Sequence, residues 1–304
     1  MKSGDVAIVC RGLSKRYRGS DVFALRHLDL EVKAGEVYGF LGPNGAGKST
    51  TIRTLLNFIQ PTEGSATILG QDIVKDSVAV KCSVGYMSGE LSMYPKMTGR
   101  QFLDYMSELQ PAVSQAYRQE LVKRFKVEVN KPLGDLSRGN RQKVGIVQAF
   151  MHQPAVLILD EPTSGLDPLM QEVFYELLEE TKQRGAAVFS SSHILGEVQK
   201  MCDRVGIIRE GKLIAERKIA DMATEAAQTF DIVFKDEPPL TALKRIKGLQ
   251  TASHHGNTVT IHFHGELSPL FAELAKYQIL KLDSRTLDLE EVFLRFYKEK
   301  GGWE

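Results

Sequence analysis

One stretch decides how this chain is organised: Gly42-Pro43-Asn44-Gly45-Ala46-Gly47-Lys48-Ser49-Thr50. It matches the pattern G-x-x-x-x-G-K-[ST] at every required position. The apolar run at residues 37–41 comes directly before it and predicts a buried strand. After it, apolar residues recur at helical spacing from Ile52 to Ile59, and Pro61 is predicted to end that helix. Strand, glycine-rich loop and helix form the context in which this pattern builds a phosphate-binding loop, or P-loop.

The loop predicts a site for a nucleoside triphosphate. Its glycines let successive backbone N–H groups turn towards an anion, and the helix N-terminus adds a partial positive charge. Lys48 is predicted to reach the β- and γ-phosphates, and Ser49 to ligate Mg²⁺. Tyr17, in an earlier turn, could stack on a purine, although a tyrosine at a strand end also packs at sheet edges. The candidate nucleotide-binding residues are Tyr17, Gly42, Pro43, Asn44, Gly45, Ala46, Gly47, Lys48, Ser49 and Thr50.

Two carboxylates follow a second buried strand. Residues 156–159 are apolar and β-prone, and Asp160 and Glu161 come next. Ligands of open α/β sheets bind at the carboxyl ends of strands, so this pair is predicted to face the P-loop. Asp160 suits a Mg²⁺ ligand, and Glu161 suits the base that polarises the attacking water.

Two more candidates lie downstream. Asp167 is predicted to cap a helix that starts at Pro168, with Leu169, Val173, Phe174, Leu177 and Leu178 as its buried stripe. His193 lies just beyond the strand predicted at residues 187–192. A histidine there is as compatible with packing as with function, but beside a phosphate site it becomes a candidate γ-phosphate contact.

Five consecutive residues connect these motifs to a known family. The segment Leu136-Ser137-Arg138-Gly139-Asn140 opens a helix and resembles the L-S-G-G-Q signature of ABC transporter nucleotide-binding domains. The resemblance covers roughly residues 5–220 and includes the P-loop, Asp160–Glu161, the segment ending at Asp167, and His193. It implies an α/β fold in which a P-loop NTPase core, with a RecA-like mixed sheet, carries a helical subdomain at about residues 90–150 and an N-terminal antiparallel β subdomain.

The resemblance also implies how ATP and Mg²⁺ are used. Ser137 and Gly139 offer a hydroxyl and backbone N–H groups at a helix N-terminus, a second anion cradle. In the family this cradle serves, in trans, the γ-phosphate of ATP bound to the other subunit of a head-to-tail dimer. Asp167 then belongs to the loop at the dimer contact. A homodimer of this chain is expected to have two competent sites.

The chain departs from the family pattern at two places. Arg138 stands where the signature has glycine, and we expect this change to be tolerated because Ser137 and Gly139 are kept. Gly89 stands where the family has a glutamine that touches Mg²⁺ and water, so we expect slow or strongly partner-dependent hydrolysis. The stretch Glu90–Thr98 is where the family contacts its permease, although Met93 and Tyr94 there could equally pack under the helical subdomain.

Composition excludes several classes of function. The 304 residues are 42% hydrophobic and 25% charged, with a formal net charge of +1, which favours neither nucleic acid nor an anionic membrane. No apolar run approaches the ~18 residues of a membrane span, and the first residues lack a signal-peptide core. We therefore expect a protein that stays in the cytoplasm, and the family resemblance implies that a permease holds it at the cytoplasmic face of the membrane. Cys10, Cys82 and Cys202 lack metal or redox spacing and are interpreted as reduced packing residues.

The tail, residues 221–304, is predicted to be a small α+β domain. Gly256-Asn257 predicts a hairpin turn that pairs His255 with Thr258. The histidines suggest a metal site only weakly, because strand alternation already explains them as a solvated face. Residues 287–297 predict an amphipathic helix. The tail resembles the C-terminal domain of exporter-type ABC ATPases, which implies dimer contact or regulation.

The sequence and the resemblance together predict the ATP-hydrolysing subunit of an ABC exporter, which acts as a homodimer beneath a separately encoded permease. This subunit is not expected to bind nucleic acid. Two alternatives remain open at this stage. One is a soluble ABC-family ATPase, and the other is an ATP-dependent interaction module that hydrolyses ATP weakly.

Overall fold

The computed structural model describes residues 4–89, 94–110, 113–225, 228–243, 245–263 and 265–286. The chain divides into two compact units, Met1–Arg217 and Lys218–Glu304. The strands of the first unit are β1 (Val6–Arg16), β2 (Phe23–Lys33), β3 (Val37–Leu41), β4 (Glu63–Ile68), β5 (Gln71–Asp72), β6 (Val84–Met87), β7 (Val156–Asp160), β8 (Ala187–Ser192), β9 (Arg204–Arg209) and β10 (Lys212–Lys218). Its α-helices are α1 (Lys48–Leu55), α2 (Ser77–Ser83), α3 (Gly99–Glu108), α4 (Gln115–Arg124), α5 (Arg138–Phe150), α6 (Pro168–Gln183) and α7 (Leu195–Met201).

A six-stranded sheet forms the centre of the first unit, in the order β10-β9-β3-β8-β7-β6. The pairs β3–β9, β3–β8, β7–β8 and β6–β7 are parallel. Every residue of β3 and β8 is buried, as expected for strands covered on both faces. Strand β3 leads into the P-loop, β8 leads into His193, and β7 leads into Glu161. Because these strands are parallel neighbours, their carboxyl ends bring the three motifs to one edge of the sheet.

A second sheet of the same unit is antiparallel and has the order β2-β1-β4-β5. Strand β1 pairs with β2 and with β4, and its register shifts in both ladders. Together the two sheets confirm the predicted α/β core with an N-terminal antiparallel β subdomain.

The helical subdomain contains α3, α4, a 3₁₀ turn at Leu133–Asp135, and α5. Helix α3 begins with a capping box, in which Thr98 and Gln101 each accept a hydrogen bond from the other's backbone N–H. Phe102 and Leu103 of α3 are buried. None of the helices within the described ranges is both long and apolar enough to cross a membrane.

Two sequence predictions about helices were wrong in detail. Helix α1 ends at Leu55, well before Pro61, because Asn57 adopts a left-handed backbone with φ 51°. On α6, Leu169 is 75% exposed, and Met170 is the residue buried in its place. Asp167 takes the N-cap position and Pro168 the first helical position, as predicted. The inward face nevertheless starts at Met170, one residue later than the predicted stripe.

The second unit is a small α+β structure. Its elements are α8 (Ile219–Glu225), β11 (Gln228–Phe234), α9 (Leu240–Leu243), β12 (Leu249–His255), β13 (Thr258–Phe263), α10 (Ser268–Leu274) and β14 (Ile279–Thr286). The sheet order is β12-β13-β11-β14, and His255 pairs with Thr258 across the hairpin, as predicted. His262 lies 2.9 Å from the Thr229 hydroxyl. His264 and the helix predicted at residues 287–297 lie outside the described residues.

Candidate active site

The P-loop joins β3 to α1 and takes a conformation that requires glycine. Gly47 has φ 111°, a region that residues with a side chain rarely adopt. A methyl group on Gly47 would also lie 2.7 Å from the carbonyl oxygen of Ala24, so any larger residue would push the loop away from the antiparallel sheet. The glycine spacing of the motif is thus a requirement of the backbone.

Lys48 is buried inside the loop that carries it. Its ammonium group donates to the carbonyl oxygens of Gly42, at 2.7 Å, and Pro43, at 3.2 Å. Burial lowers the pKa of Lys48 from its usual value, while the carboxylates of Glu161 and Asp160 oppose that shift. The Lys48 ammonium group therefore lies at the floor of the loop, beside two of the loop's own carbonyl oxygens.

A cleft of about 160 Å³ opens over the loop. It is lined by Ala24, Pro43, Asn44, Gly45, Gly47, Lys48, Ser49, Thr50 and Glu161. Glycine N–H groups, a lysine and the start of a helix are suited to bind phosphates. All five signature residues are described, and none of them lines this cleft.

Ser49 and Asp160 meet at one end of the cleft. The Ser49 hydroxyl donates to Asp160 Oδ2 at 3.0 Å, and the Ser191 hydroxyl donates to Asp160 Oδ1. A hydroxyl and a carboxylate are oxygen ligands of the kind Mg²⁺ prefers, usually one or two from the protein together with substrate phosphates. The pair fits that donor set. Across the described part of the chain, no group of three or more histidine, cysteine, aspartate or glutamate side chains is arranged to hold a metal ion.

Glu161 leaves the end of β7 in an unusual backbone conformation. Its φ is 48°, in the left-handed region that side chains disfavour. Its N–H donates to the Ser191 carbonyl oxygen at 3.2 Å. Its carboxylate lies 2.9 Å from His193 Nδ1 and 4.0 Å from Lys48 Nζ. The turn therefore directs this carboxylate towards the P-loop, beside the histidine.

Gln142, on α5, also contacts this turn, and the sequence analysis did not identify it. It is 3% exposed, and its side-chain amide donates to the carbonyl oxygens of Glu161, at 3.1 Å, and Pro162, at 2.9 Å. A signal was available in the sequence, because Gln142 shares a helix face with the buried Ile146 and Phe150. A buried polar residue on an apolar face needs hydrogen-bond partners.

The signature segment begins helix α5. The Ser137 hydroxyl caps the helix by accepting from the Asn140 N–H at 3.2 Å, and the Asn140 side chain donates to Glu128 at 2.9 Å. Arg138 donates to the Ser164 hydroxyl at 2.7 Å. These contacts orient the start of α5 and connect it to the loop that follows Glu161.

The start of α5 and the loop after Glu161 also approach each other closely through their backbones. A methyl group on Gly139 would lie 2.7 Å from the Gly165 carbonyl oxygen, so only glycine fits there without movement. Leu136 is 4% exposed and anchors the segment in the core.

Two other predicted residues also have defined surroundings. The Tyr17 hydroxyl lies 3.3 Å from the Thr50 hydroxyl, and the tyrosine is 41% exposed, so it borders the P-loop helix. Asp167 is exposed, and its carboxylate accepts from the Met170 N–H at 3.0 Å as the cap of α6.

The position of the absent glutamine lies against Asp160. A methyl group on Gly89 would be 3.2 Å from the Asp160 carbonyl oxygen and 3.6 Å from its carboxyl carbon. The chain thus passes the expected place without a side chain there. Glu90–Met93 lie outside the described residues, and Tyr94, 57% exposed, makes an edge contact with Tyr105.

A P-loop between a strand and a helix, facing a strand-end Asp–Glu pair, defines a P-loop nucleoside triphosphatase. The comparisons with known proteins are specific. The ABC transporter family model matches residues 25–164. An ABC transporter ATP-binding protein of Bacillus subtilis (strain 168), YhcH, is 33% identical over 295 residues, or 95% of each chain. This chain belongs to the ABC transporter ATP-binding proteins, and it is an ATPase subunit of a transporter.

Further relatives agree with this assignment. The bacitracin transport ATP-binding protein BcrA of Bacillus licheniformis is 32% identical over 281 residues, covering 88% of this chain and 90% of that protein. A solved ATP-binding subunit of an ABC transporter superposes with a TM-score of 0.66 at 28% identity, covering 72% of this chain and 92% of that one. A dimeric post-hydrolysis cassette bound to ADP and Pi shares the fold, with a TM-score of 0.63 at 23% identity over 70% of this chain and 98% of that one.

Proposed function

We propose that this ATPase subunit powers an exporter as a homodimer, closing on ATP beneath a separately encoded membrane permease. The observation that carries the proposal is the separation of the two anion sites. The P-loop cleft contains none of the signature residues, and the Ser137 end of α5 contacts the loop after Glu161 instead. This separation supports a shared site, in which the signature would serve a nucleotide held by another copy of the chain.

The charged and polar residues in and beside the cleft have separate tasks in this proposal. Lys48 and the loop N–H groups bind the β- and γ-phosphates, and Tyr17 stacks on the adenine. Glu161 accepts a proton from the attacking water, and His193 holds the carboxylate of Glu161 and contacts the γ-phosphate. Mg²⁺, held by Ser49 and Asp160, would supply positive charge beside the phosphates. The bond that breaks joins the γ-phosphorus to the bridging oxygen, and ADP and phosphate leave.

Closure follows from the signature helix. Ser137, Gly139 and the N-terminus of α5 offer donors to the γ-phosphate of the partner's ATP. ATP thus binds two chains at once and favours the closed dimer, and hydrolysis removes that link. Asp167 follows Ser164–Leu166 and lies in the dimer contact.

Transport direction and location are also part of the proposal. BcrA is named for bacitracin transport, and the α+β second unit of this chain supports export by its resemblance to exporter-type C-terminal domains. The permease contact is proposed near Glu90–Thr98, where Tyr94 is exposed. The permease would then hold the subunit at the cytoplasmic face of the membrane. Nucleic acid is not among its proposed partners.

A mixing experiment tests the shared site. Lys48→Ala removes the phosphate lysine, and Ser137→Asp keeps a helix cap but adds a charge that repels phosphate. In a head-to-tail mixed dimer one site carries both changes and the other carries neither. An equal mixture is therefore expected to recover about a quarter of wild-type ATPase, while each variant alone stays inactive. No recovery on mixing, with Ser137→Asp still folded, contradicts the sandwich dimer.

A second experiment tests the permease. Tagged protein is purified from native membranes in mild detergent, with and without ATP, and its companions are identified. We expect a multi-span membrane protein in stoichiometric amount. Ribosomes, nucleic acid or no companion would support a soluble factor or an interaction module.

Gly89 favours slow hydrolysis by the free subunit. No side chain at that position reaches towards Asp160. We expect turnover well below about 10 s⁻¹, a typical enzyme rate, until the permease is present. Equal ATPase rates for wild type and Glu161→Gln would instead favour a module that binds ATP and barely hydrolyses it.

A further inference from the structure

One buried amide connects the signature helix to the proposed base. Gln142 is 3% exposed and donates from Nε2 to the carbonyl oxygens of Glu161 and Pro162, at 3.1 and 2.9 Å. The amide nitrogen has two hydrogens to give, and two consecutive carbonyls accept them. The amide is therefore matched to the turn that begins at Glu161.

That turn needs external support. Glu161 has φ 48°, a conformation that costs a residue with a side chain free energy and persists only where its surroundings impose it. Its N–H is bound by the Ser191 carbonyl oxygen, and its own carbonyl oxygen is bound by Gln142. The two bonds hold both ends of the residue, and this orientation brings the carboxylate 2.9 Å from His193.

We propose that Gln142 is a positioning residue for hydrolysis, which holds the backbone of Glu161 so that its carboxylate faces the P-loop. The inference rests on the proposed role of Glu161 as the base. Gln142 does not line the cleft over the P-loop, and both of its hydrogen bonds go to the turn that begins at Glu161. Its loss therefore lowers the rate of the chemical step and leaves nucleotide affinity unchanged.

The alternative is that Gln142 only fills space in the core. Gln142→Met has a similar length and cannot donate. Gln148→Met is the matched control, because Gln148 is half-buried on the same helix and lacks the carbonyl partners of Gln142. Thermal melting of all variants reports whether they fold.

The test combines three readouts: kcat, nucleotide affinity by fluorescent ATP titration, and kcat in a Glu161→Gln background. We expect Gln142→Met to lower kcat roughly 10- to 100-fold, with affinity within about twofold of wild type. In the Glu161→Gln background the same change should alter the residual rate less than about twofold, because the group being positioned is gone. Gln148→Met should behave like wild type.

Three results would overturn the inference: a weaker affinity at unchanged kcat, the same fold loss in the Glu161→Gln background, or an equal loss in Gln148→Met. If Gln142→Met does not fold, Gln142→Asn carries the same comparison, because its amide is one methylene too short to reach both carbonyl oxygens. If Glu161→Gln alone leaves turnover unchanged, the proposed base is wrong and the inference falls with it. If Glu161→Gln does lower turnover and any of the three results is also found, only the positioning role of Gln142 is rejected, and the proposed role of Glu161 stands.

Discussion

His193 Nδ1 lies 2.9 Å from Glu161 Oε1, although the two residues follow different strands. Strands β7 and β8 are parallel neighbours, so their carboxyl ends deliver both side chains to one point. The carboxylate also lies 4.0 Å from Lys48 Nζ. The carboxylate therefore lies between the imidazole of His193 and the ammonium group of Lys48.

Replacing His193 should slow hydrolysis without weakening ATP binding. We expect His193→Ala to lower kcat roughly 100-fold, since the carboxylate that we propose as the proton acceptor loses its hydrogen-bond partner. ATP affinity, measured by equilibrium titration, should stay within about twofold, because Lys48 and the loop N–H groups supply the main contacts to the phosphates in our proposal. Ile194→Ala, at the exposed next residue, is the control and should retain activity. A comparable fall in affinity for His193→Ala would contradict this role.

Ser49 should determine how much Mg²⁺ the enzyme needs. Removing its hydroxyl, which donates to Asp160 at 3.0 Å, should raise the Mg²⁺ concentration for half-maximal ATPase roughly tenfold. The measurement is a Mg²⁺ titration of Ser49→Ala at saturating ATP. Thr50→Ala is the neighbouring control, because the Thr50 hydroxyl faces Tyr17 and not Asp160. Equal shifts in the two variants would count against a metal ligand at Ser49.

Tyr17 should recognise the base and not the phosphates. We expect Tyr17→Ala to weaken ATP binding roughly tenfold, the scale of one lost stacking contact. Tyr17→Phe should bind ATP as wild type does, because it keeps the ring. Tripolyphosphate has no base, so its affinity should be the same for all three proteins. A weaker affinity of Tyr17→Ala for tripolyphosphate would show that Tyr17 supports the loop instead.

Adjacent residues on α6 should differ sharply in their contribution to stability. Met170 is 6% exposed, whereas Leu169 is 75% exposed. Met170→Ala should lower the free energy of unfolding by about 2 kcal/mol or more, through lost burial and a cavity. Leu169→Ala should change it by less than about 0.5 kcal/mol. Urea unfolding followed by circular dichroism compares the two, and a reversed order would refute the assignment of the buried face.

His152 should make stability fall on acidification. Burial lowers the pKa of its imidazole below the usual 6.5. On acidification the unfolded chain then takes up a proton at this histidine at a higher pH than the folded chain does. The free energy of unfolding is therefore at its full value above about pH 6.5, and it declines as the pH falls towards the lower pKa of the folded state. Between pH 7.5 and 5.5 the melting temperature of His152→Gln should fall by less than that of the wild type. Equal losses would contradict the prediction.

The parts of the site that lie along one strand, loop or helix could be predicted from the sequence. The glycine spacing of the P-loop predicts the conformation of the loop. The buried strand before Asp160 predicts that the two carboxylates lie at its carboxyl end. Asp167 could be identified as a helix cap because capping depends on neighbours a few residues away. Each of these signals is local.

Other features depend on contacts between distant segments and could not be predicted. The end of α1 is decided by the left-handed backbone at Asn57, not by Pro61. The burial of Met170 in place of Leu169 depends on where α6 packs. Gln142 contacts residues about 20 positions away, and only the folded arrangement shows that its amide faces the turn after β7.

The left-handed backbone of Glu161 also affects how this chain tolerates mutation. Any side chain costs about 1–2 kcal/mol in that conformation, and glycine avoids most of this cost. The residue that we propose for hydrolysis therefore occupies a position where folding alone favours glycine. A screen that selects only for heat resistance would tend to enrich chains that still bind ATP but no longer hydrolyse it. Selection for thermostability in this protein has to include turnover as a criterion.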